Sequence, residues 1–149
     1  MRLTHFTDYS LRVLIYLGLN PDRLVTIEEI AGAYDISRNH LMKIVHHQAQ
    51  NGVIETVRGK GGGMRLGRLP ADIGIGDVVR DTEQDMVLVA CFDQAHGGEC
   101  KIESACFLRH ALREAQDAFY RTLDNYTLAD LLRPKARLSA LFGMPDPAD

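Results

Sequence analysis

Three cysteines, Cys91, Cys100 and Cys106, fall within 16 residues of a 149-residue chain, in the spacing C-x8-C-x5-C. Three thiols cannot all pair internally. The N-terminus has no signal-peptide pattern, so a cytoplasmic, reducing compartment is expected, and metal or redox chemistry is favoured over a structural disulfide. Thiolates are soft ligands that suit iron–sulfur clusters and zinc. Three are one short of the usual four, which implies a fourth group of another kind or an open position. His96 lies between the first two cysteines, so a zinc site of three cysteines and His96 competes on spacing alone. Gly97 and Gly98 would let the backbone fold closely around an inorganic core.

A second constellation could bind an anionic polymer. Ser37, Arg38, Asn39, His40 and Lys43 cluster on the first two turns of one helical segment, away from its apolar stripe. A helix N-terminus offers free N–H groups to phosphate, Arg can read guanine, and Asn can read adenine in the major groove. Close behind come Arg58, Lys60 and Arg65, around the run Gly59-Lys60-Gly61-Gly62-Gly63. That run lacks the strand–loop–helix context and the Gly-Lys-Ser/Thr of a nucleotide-phosphate loop. Between Ile36 and Arg68 six cations face one anion, whereas the whole chain has a net charge of −3. A basic segment in an acidic chain points to a local anionic partner. Alone, a polar helix face is an ordinary solvated surface; two basic elements in succession favour DNA.

The elements that must position these residues follow from caps and periodicity. Thr7 reads as an N-cap with Asp8 in the first turn, followed by Leu11, Leu14, Ile15 and Leu19 at helical spacing. Thr26 and Glu29 form a capping-box pattern that opens a second helix. Ser37 opens a third, with Leu41, Ile44, Val45 and Ala49 as its apolar stripe and Asn51-Gly52 as its stop. Two short helices joined by a tight turn are the helix-turn-helix pattern, and Val53–Arg58 with Met64–Arg68 add a hairpin that serves as a basic wing. Ile73–Glu83 predicts another short helix, Met86–Cys91 a strand or an extended lead-in, and Phe92–Glu103 a loop.

Ser104 reads as the N-cap of a long helix reaching about Asn125. Leu108, Leu112, Ala115, Phe119 and Leu123 lie on one face, and Arg113, Glu114, Asp117 and Arg121 on the other. A helix of roughly 20 residues spans about 30 Å. With so little other structure beside it, it is expected to pack against a second copy of itself. The predicted fold is mainly α with a small β-hairpin: a winged helix-turn-helix over residues 1–70, a connecting helix and cysteine-bearing loop over 71–103, and a dimerisation helix with a short terminal helix over 104–133. Residues 134–149 read as a loosely ordered tail. Apolar residues make up 46% and charged residues 25%, as in folded proteins. No apolar run approaches the roughly 18 residues of a membrane span. No nucleophile–base pair or cofactor fingerprint suggests an enzyme.

The chain resembles the NsrR-like nitric-oxide-sensing repressors of the iron–sulfur winged-helix regulator superfamily. The matching stretches are Leu3-Thr4-His5-Phe6-Thr7-Asp8-Tyr9-Ser10-Leu11-Arg12, Ser37-Arg38-Asn39-His40-Leu41-Met42-Lys43 and Val57-Arg58-Gly59-Lys60-Gly61-Gly62-Gly63-Met64-Arg65-Leu66-Gly67. Ile75-Gly76-Asp77-Val78-Val79-Arg80 and Leu123-Asp124-Asn125-Tyr126-Thr127-Leu128-Ala129-Asp130-Leu131 match as well. The resemblance implies a homodimer that binds double-stranded operator DNA and carries a cluster on Cys91, Cys100 and Cys106, of the 4Fe–4S type with 2Fe–2S as the alternative. It also implies release from DNA when nitric oxide attacks the cluster, and a non-cysteine fourth ligand. Asp8 matches the carboxylate that relatives use, supplied by the same or the other subunit, although a first-turn carboxylate has an ordinary helix-start role too. The first cysteine gap, eight residues, is longer than the family's usual four or five. A regulator that senses cluster status, iron or redox state would use the same cysteines, and a zinc-stabilised interaction module is the remaining alternative.

Overall fold

Thr4, not Thr7, starts the first helix. Thr4 has an extended backbone, and its Oγ1 accepts the Thr7 N–H at 3.2 Å, so α1 runs His5–Leu19 with Thr7 buried inside the first turn. The Thr4 N–H donates to Glu83 Oε1 at 2.7 Å, which ties the start of α1 to a distant segment. The computed structural model describes residues 2–83, 86–93 and 100–145. In it α1 is the central rod: Val13, Leu14, Tyr16, Leu17 and Leu19 are all buried. A Cβ at Gly18 would stand 2.5 Å from Leu132 Cδ1, so a side chain there would push the Leu132 side chain aside.

The next elements follow the sequence closely because their caps are local. Thr26 Oγ1 accepts the Glu29 N–H at 3.3 Å, and Glu29 Oε2 accepts the Thr26 N–H at 2.8 Å, opening α2 (Ile27–Tyr34). Burial opposes ionisation of Glu29, but hydrogen bonds from Thr26 and Arg23 outweigh it and hold the carboxyl below its ordinary range. Ser37 caps α3 (Arg38–Gln50), with Leu41, Ile44 and Val45 buried. The hairpin is β1 (Ile54–Val57) antiparallel to β2 (Gly63–Leu66), in the register Ile54 to Leu66 and Val57 to Gly63. Met64 exchanges both backbone hydrogen bonds with Val25, at 2.8 and 2.9 Å, which fastens the hairpin to the segment between α1 and α2.

Helix α4 (Ile75–Thr82) packs on α1, with Val78 and Val79 buried as expected. The stretch around Met86 runs without strand pairing into a 3-10 turn at Ala90–Phe92. The long helix begins later than Ser104 suggests. A 3-10 turn at Glu103–Ala105 takes up Ser104, and Cys106 is the N-cap of α5 (Phe107–Leu123). None of the 17 residues of α5 is fully buried. Short α6 (Leu128–Leu131) returns to the core, where the Leu128 N–H donates to the Ile73 carbonyl at 2.8 Å.

The expected loose tail instead begins with α7 (Lys135–Leu141). Just beyond it, Phe142 packs edge-on against Tyr16 and Tyr34, with ring centroids 5.4 and 5.0 Å away. Burial is the main cause that pushes the Tyr34 hydroxyl up to about 12. Among the described residues, no helix is long and apolar enough to cross a membrane.

Arg80 and Asp124 join α4 to the end of α5. Arg80 Nη1 and Nη2 donate to the two carboxylate oxygens at 2.7 and 2.6 Å, and the guanidinium lies 4.8 Å over the Tyr120 ring. The hydrogen bond from Arg80 holds the Asp124 carboxyl below its ordinary range. A depressed carboxyl pKa contributes stability above the unfolded-state value of about 3.9 and loses it as pH falls through the folded value. Asp124→Asn is therefore expected to lower the melting temperature at pH 7, with the gap from the parent protein closing in acid below about pH 4. Thermal melts across that range check it; a gap that persists unchanged in acid contradicts the assignment.

Candidate nucleic-acid interface and cysteine centre

The Ser37 cap exposes the front of α3. Its Oγ is used locally, accepting the His40 N–H at 3.3 Å, while Arg38, Asn39, His40 and Lys43 are exposed. The first turns of α1 stack on this region: Tyr9 lies between His5 at 5.5 Å and His40 at 6.3 Å, and Phe6 meets His47 edge-on at 5.4 Å. The end of α1 that carries Asp8 is thus packed against the front of α3.

The hairpin carries its cations on the open side. Gly59 and Gly61 have φ of 98° and 76°, a conformation that favours glycine, and the tip they form presents Lys60. Arg58 and Lys60 are exposed and, with Lys43, have no ion-pair partner among the described residues. Arg38 and Arg65 differ. Arg38 pairs with Glu28 at 2.5 Å, and Arg65 pairs with Glu55, its cross-strand neighbour, at 2.9 Å. The hydrogen bond from Arg65 is also the main cause that keeps the Glu55 carboxyl below its ordinary range.

The cysteines are free thiols, Cys91 and Cys106 half-buried and Cys100 exposed. Cys100 and Cys106 belong to one turn, in which the Glu103 N–H donates to the Cys100 carbonyl at 3.1 Å and the Cys106 N–H to the Glu103 carbonyl at 3.3 Å. Cys91 lies on a separate segment, which α5 holds through its backbone. Arg109 Nη2 donates to the Cys91 carbonyl at 3.2 Å and stands 3.4 Å from Glu103 Oε1. One turn along, the Arg113 guanidinium lies 4.4 Å over the Phe92 ring. The segments of Cys91 and Cys106 are brought to the same end of α5.

Sequence reasoning missed Arg109, and it placed Arg113 only on a solvated face. A pair of arginines four residues apart immediately after Cys106 was the available signal. His96, with Gly97 and Gly98, lies outside the described residues.

The donor set fits an anionic, thiolate-ligated cluster. Three thiols are free, Arg109 and Arg113 line one pocket with Cys106, and the Arg109 Nε–H is buried with no partner among the described residues. Asp8 is not gathered with them within this chain. Both its oxygens engage Arg12, at 3.1 and 2.9 Å, and Arg12 in turn covers the Tyr9 and Tyr34 rings at 5.8 Å. Among the described residues no three His, Cys, Asp or Glu side chains of one chain converge on a metal position. Of the expected dimerisation residues, Leu108 is 64% exposed, Ala115 is exposed and Leu112 half-buried, whereas Phe119 and Leu123 pack against the chain's own core. Phe107, 79% exposed beside Leu108, was not anticipated.

Residues 3–134 match the Rrf2 family, described as iron-dependent transcriptional regulators. The chain is 52% identical over 142 residues to the HTH-type transcriptional regulator NsrR of Geobacillus kaustophilus, covering 95% of this chain and 96% of that one. It is 50% identical over 147 residues to NsrR of Bacillus subtilis, covering 98% and 100%. The solved structure of IscR from T. potens superposes with a TM-score of 0.74 at 22% identity, covering 93% of this chain and 90% of that one, which supports the winged-helix fold. These relatives are regulators rather than enzymes, and the chain belongs to the Rrf2 family of transcriptional regulators.

Proposed function

We propose that this protein is an iron–sulfur transcriptional repressor that binds operator DNA as a homodimer in the cytoplasm and is released when nitric oxide reacts with its cluster. The observation that carries this reading is the pairing of two exposed basic elements with three free thiols, two of whose segments, those of Cys91 and Cys106, meet at the start of α5. Asn39, His40 and Lys43 on α3 would meet base edges, and Arg58 and Lys60 would hold phosphates beside them. Arg38 and Arg65 would exchange their carboxylates for phosphate. Both pairs are exposed and screened by solvent, so the exchange costs little.

Cys91, Cys100 and Cys106 would hold the cluster, which when bound supplies a redox-sensitive and nitric-oxide-reactive iron core. Asp8 of the partner subunit is the proposed fourth ligand, since within one chain Asp8 is turned to Arg12. To serve, it would leave Arg12, a pair 43% exposed on each side and so of small cost. The exposed Leu108, with Leu112 and Ala115, would pack against the same helix of the second copy, and Phe107 extends that surface. Phe119 and Leu123 would contribute less, being turned to their own core.

Oxygen-free purification followed by iron and sulfide analysis, and then nitric oxide titration of binding to DNA selected from a random pool, tests the proposal. Iron with sulfide and loss of binding on titration are expected; zinc alone, or binding indifferent to nitric oxide, contradicts it. Asp8→Ala is expected to leave the fold intact but to change the visible spectrum of the loaded protein or its nitric oxide response. If both stay as in the parent protein, Asp8 only starts a helix. Arg58→Ala combined with Lys60→Ala is expected to weaken DNA binding and to flatten its dependence on log salt by about 0.9 for each phosphate no longer neutralised. An unchanged slope would take the wing out of the interface.

A further inference from the structure

We propose that Arg109 is the positioning residue of the cysteine centre, holding Cys91 in register with Cys106 before any cluster is bound and offering its Nε–H to the cluster afterwards. The inference rests on the cluster reading above and assigns a role to a residue that binds no metal itself. Three features converge on one side chain. Nη2 holds the Cys91 carbonyl at 3.2 Å. It also stands 3.4 Å from the Glu103 carboxylate, whose backbone joins Cys100 to Cys106. Nε is buried with no partner among the described residues.

Nε is a buried donor without a partner among the described residues, on a side chain that lines one pocket with Cys106, and it calls for an acceptor there. Thiolate and inorganic sulfide are acceptors of the right charge, and hydrogen bonds to cluster sulfurs tune the cluster's potential. Arg113 reinforces the arrangement by stacking on Phe92, the neighbour of Cys91. Both arginines rise from α5, so the helix that would pair two subunits is also the helix that orients the thiols. A lysine at position 109 would keep the charge but could not span the carbonyl and the carboxylate while leaving a third donor free.

The test compares the full chain with Arg109→Gln and Arg109→Lys. In cluster-free protein carrying Cys100→Ser, bridging of Cys91 to Cys106 by a short bifunctional thiol reagent is followed by mass spectrometry. The parent is expected to bridge readily, Arg109→Gln several-fold more slowly, and Arg109→Lys in between. In the loaded protein with all three cysteines, iron loss to a chelator is expected to be about 10-fold faster for Arg109→Gln, with a changed visible circular dichroism spectrum. Thermal melts of the helical signal should nearly coincide for all forms, since Arg109 is no part of the buried apolar core. Equal bridging rates together with equal iron retention would overturn the inference. If the parent takes up no iron and sulfide, the cluster reading fails, and the bridging rates still decide whether Arg109 holds the two segments together.

Discussion

The burial of α1 is the constraint from which the rest of the molecule takes its geometry. One face of this helix supports α3, another supports α4, and β2, α6 and α7 fill the remainder. Val13 and Leu14 in its middle turns are fully buried, as are Thr7 and Ser10 nearer its start, so its first turns cannot shift without moving their neighbours. Those first turns hold Asp8 and, through Tyr9, lie against His40 on α3. Interiors this closely packed transmit displacement rather than absorb it. A change at the start of α1 is therefore mechanically joined to the residues proposed to read DNA, and this gives the proposed sensing event a physical route to the DNA-facing surface.

Charge divides the proposed interface into two populations. Lys43, Arg58 and Lys60 stand free of carboxylates among the described residues, whereas Arg38 and Arg65 are held by Glu28 and Glu55. In the proposed interface the free cations would set the long-range attraction for DNA, and the paired ones would become available only where a phosphate or base displaces a carboxylate. Such pairing also disfavours casual association with other polyanions, in keeping with a chain whose overall charge is −3.

Local signals were legible and long-range ones were not. The caps at Thr26 and Ser37 and the hairpin turn were readable because each is decided within three or four residues. Thr7 misled because Thr4 offers the same cap chemistry three residues earlier, and burial of Thr7 settles the choice. Ser104 misled because the 3-10 turn it occupies precedes the helix proper. The helical tail depends on Phe142 meeting Tyr16 and Tyr34, rings far away along the chain, which no periodicity reveals. The charge count marked out a basic segment, yet Glu28 lies outside that segment and pairs with Arg38 across space. The cysteine spacing pointed to ligand chemistry, whereas Arg109 did not stand out in the sequence and Arg113 read only as part of the helix face opposite the apolar one.

If the cysteine centre governs repression, its state must set the affinity of the surface formed by α3 and the hairpin. The most direct measurement is the dissociation constant for one DNA duplex, at one salt concentration, of the same preparation before and after its iron and sulfide are removed. A coupling of about 1–3 kcal/mol predicts that binding weakens roughly 5–150-fold on removal. Equal affinity in the two states, with the protein still folded and dimeric, would contradict the claim.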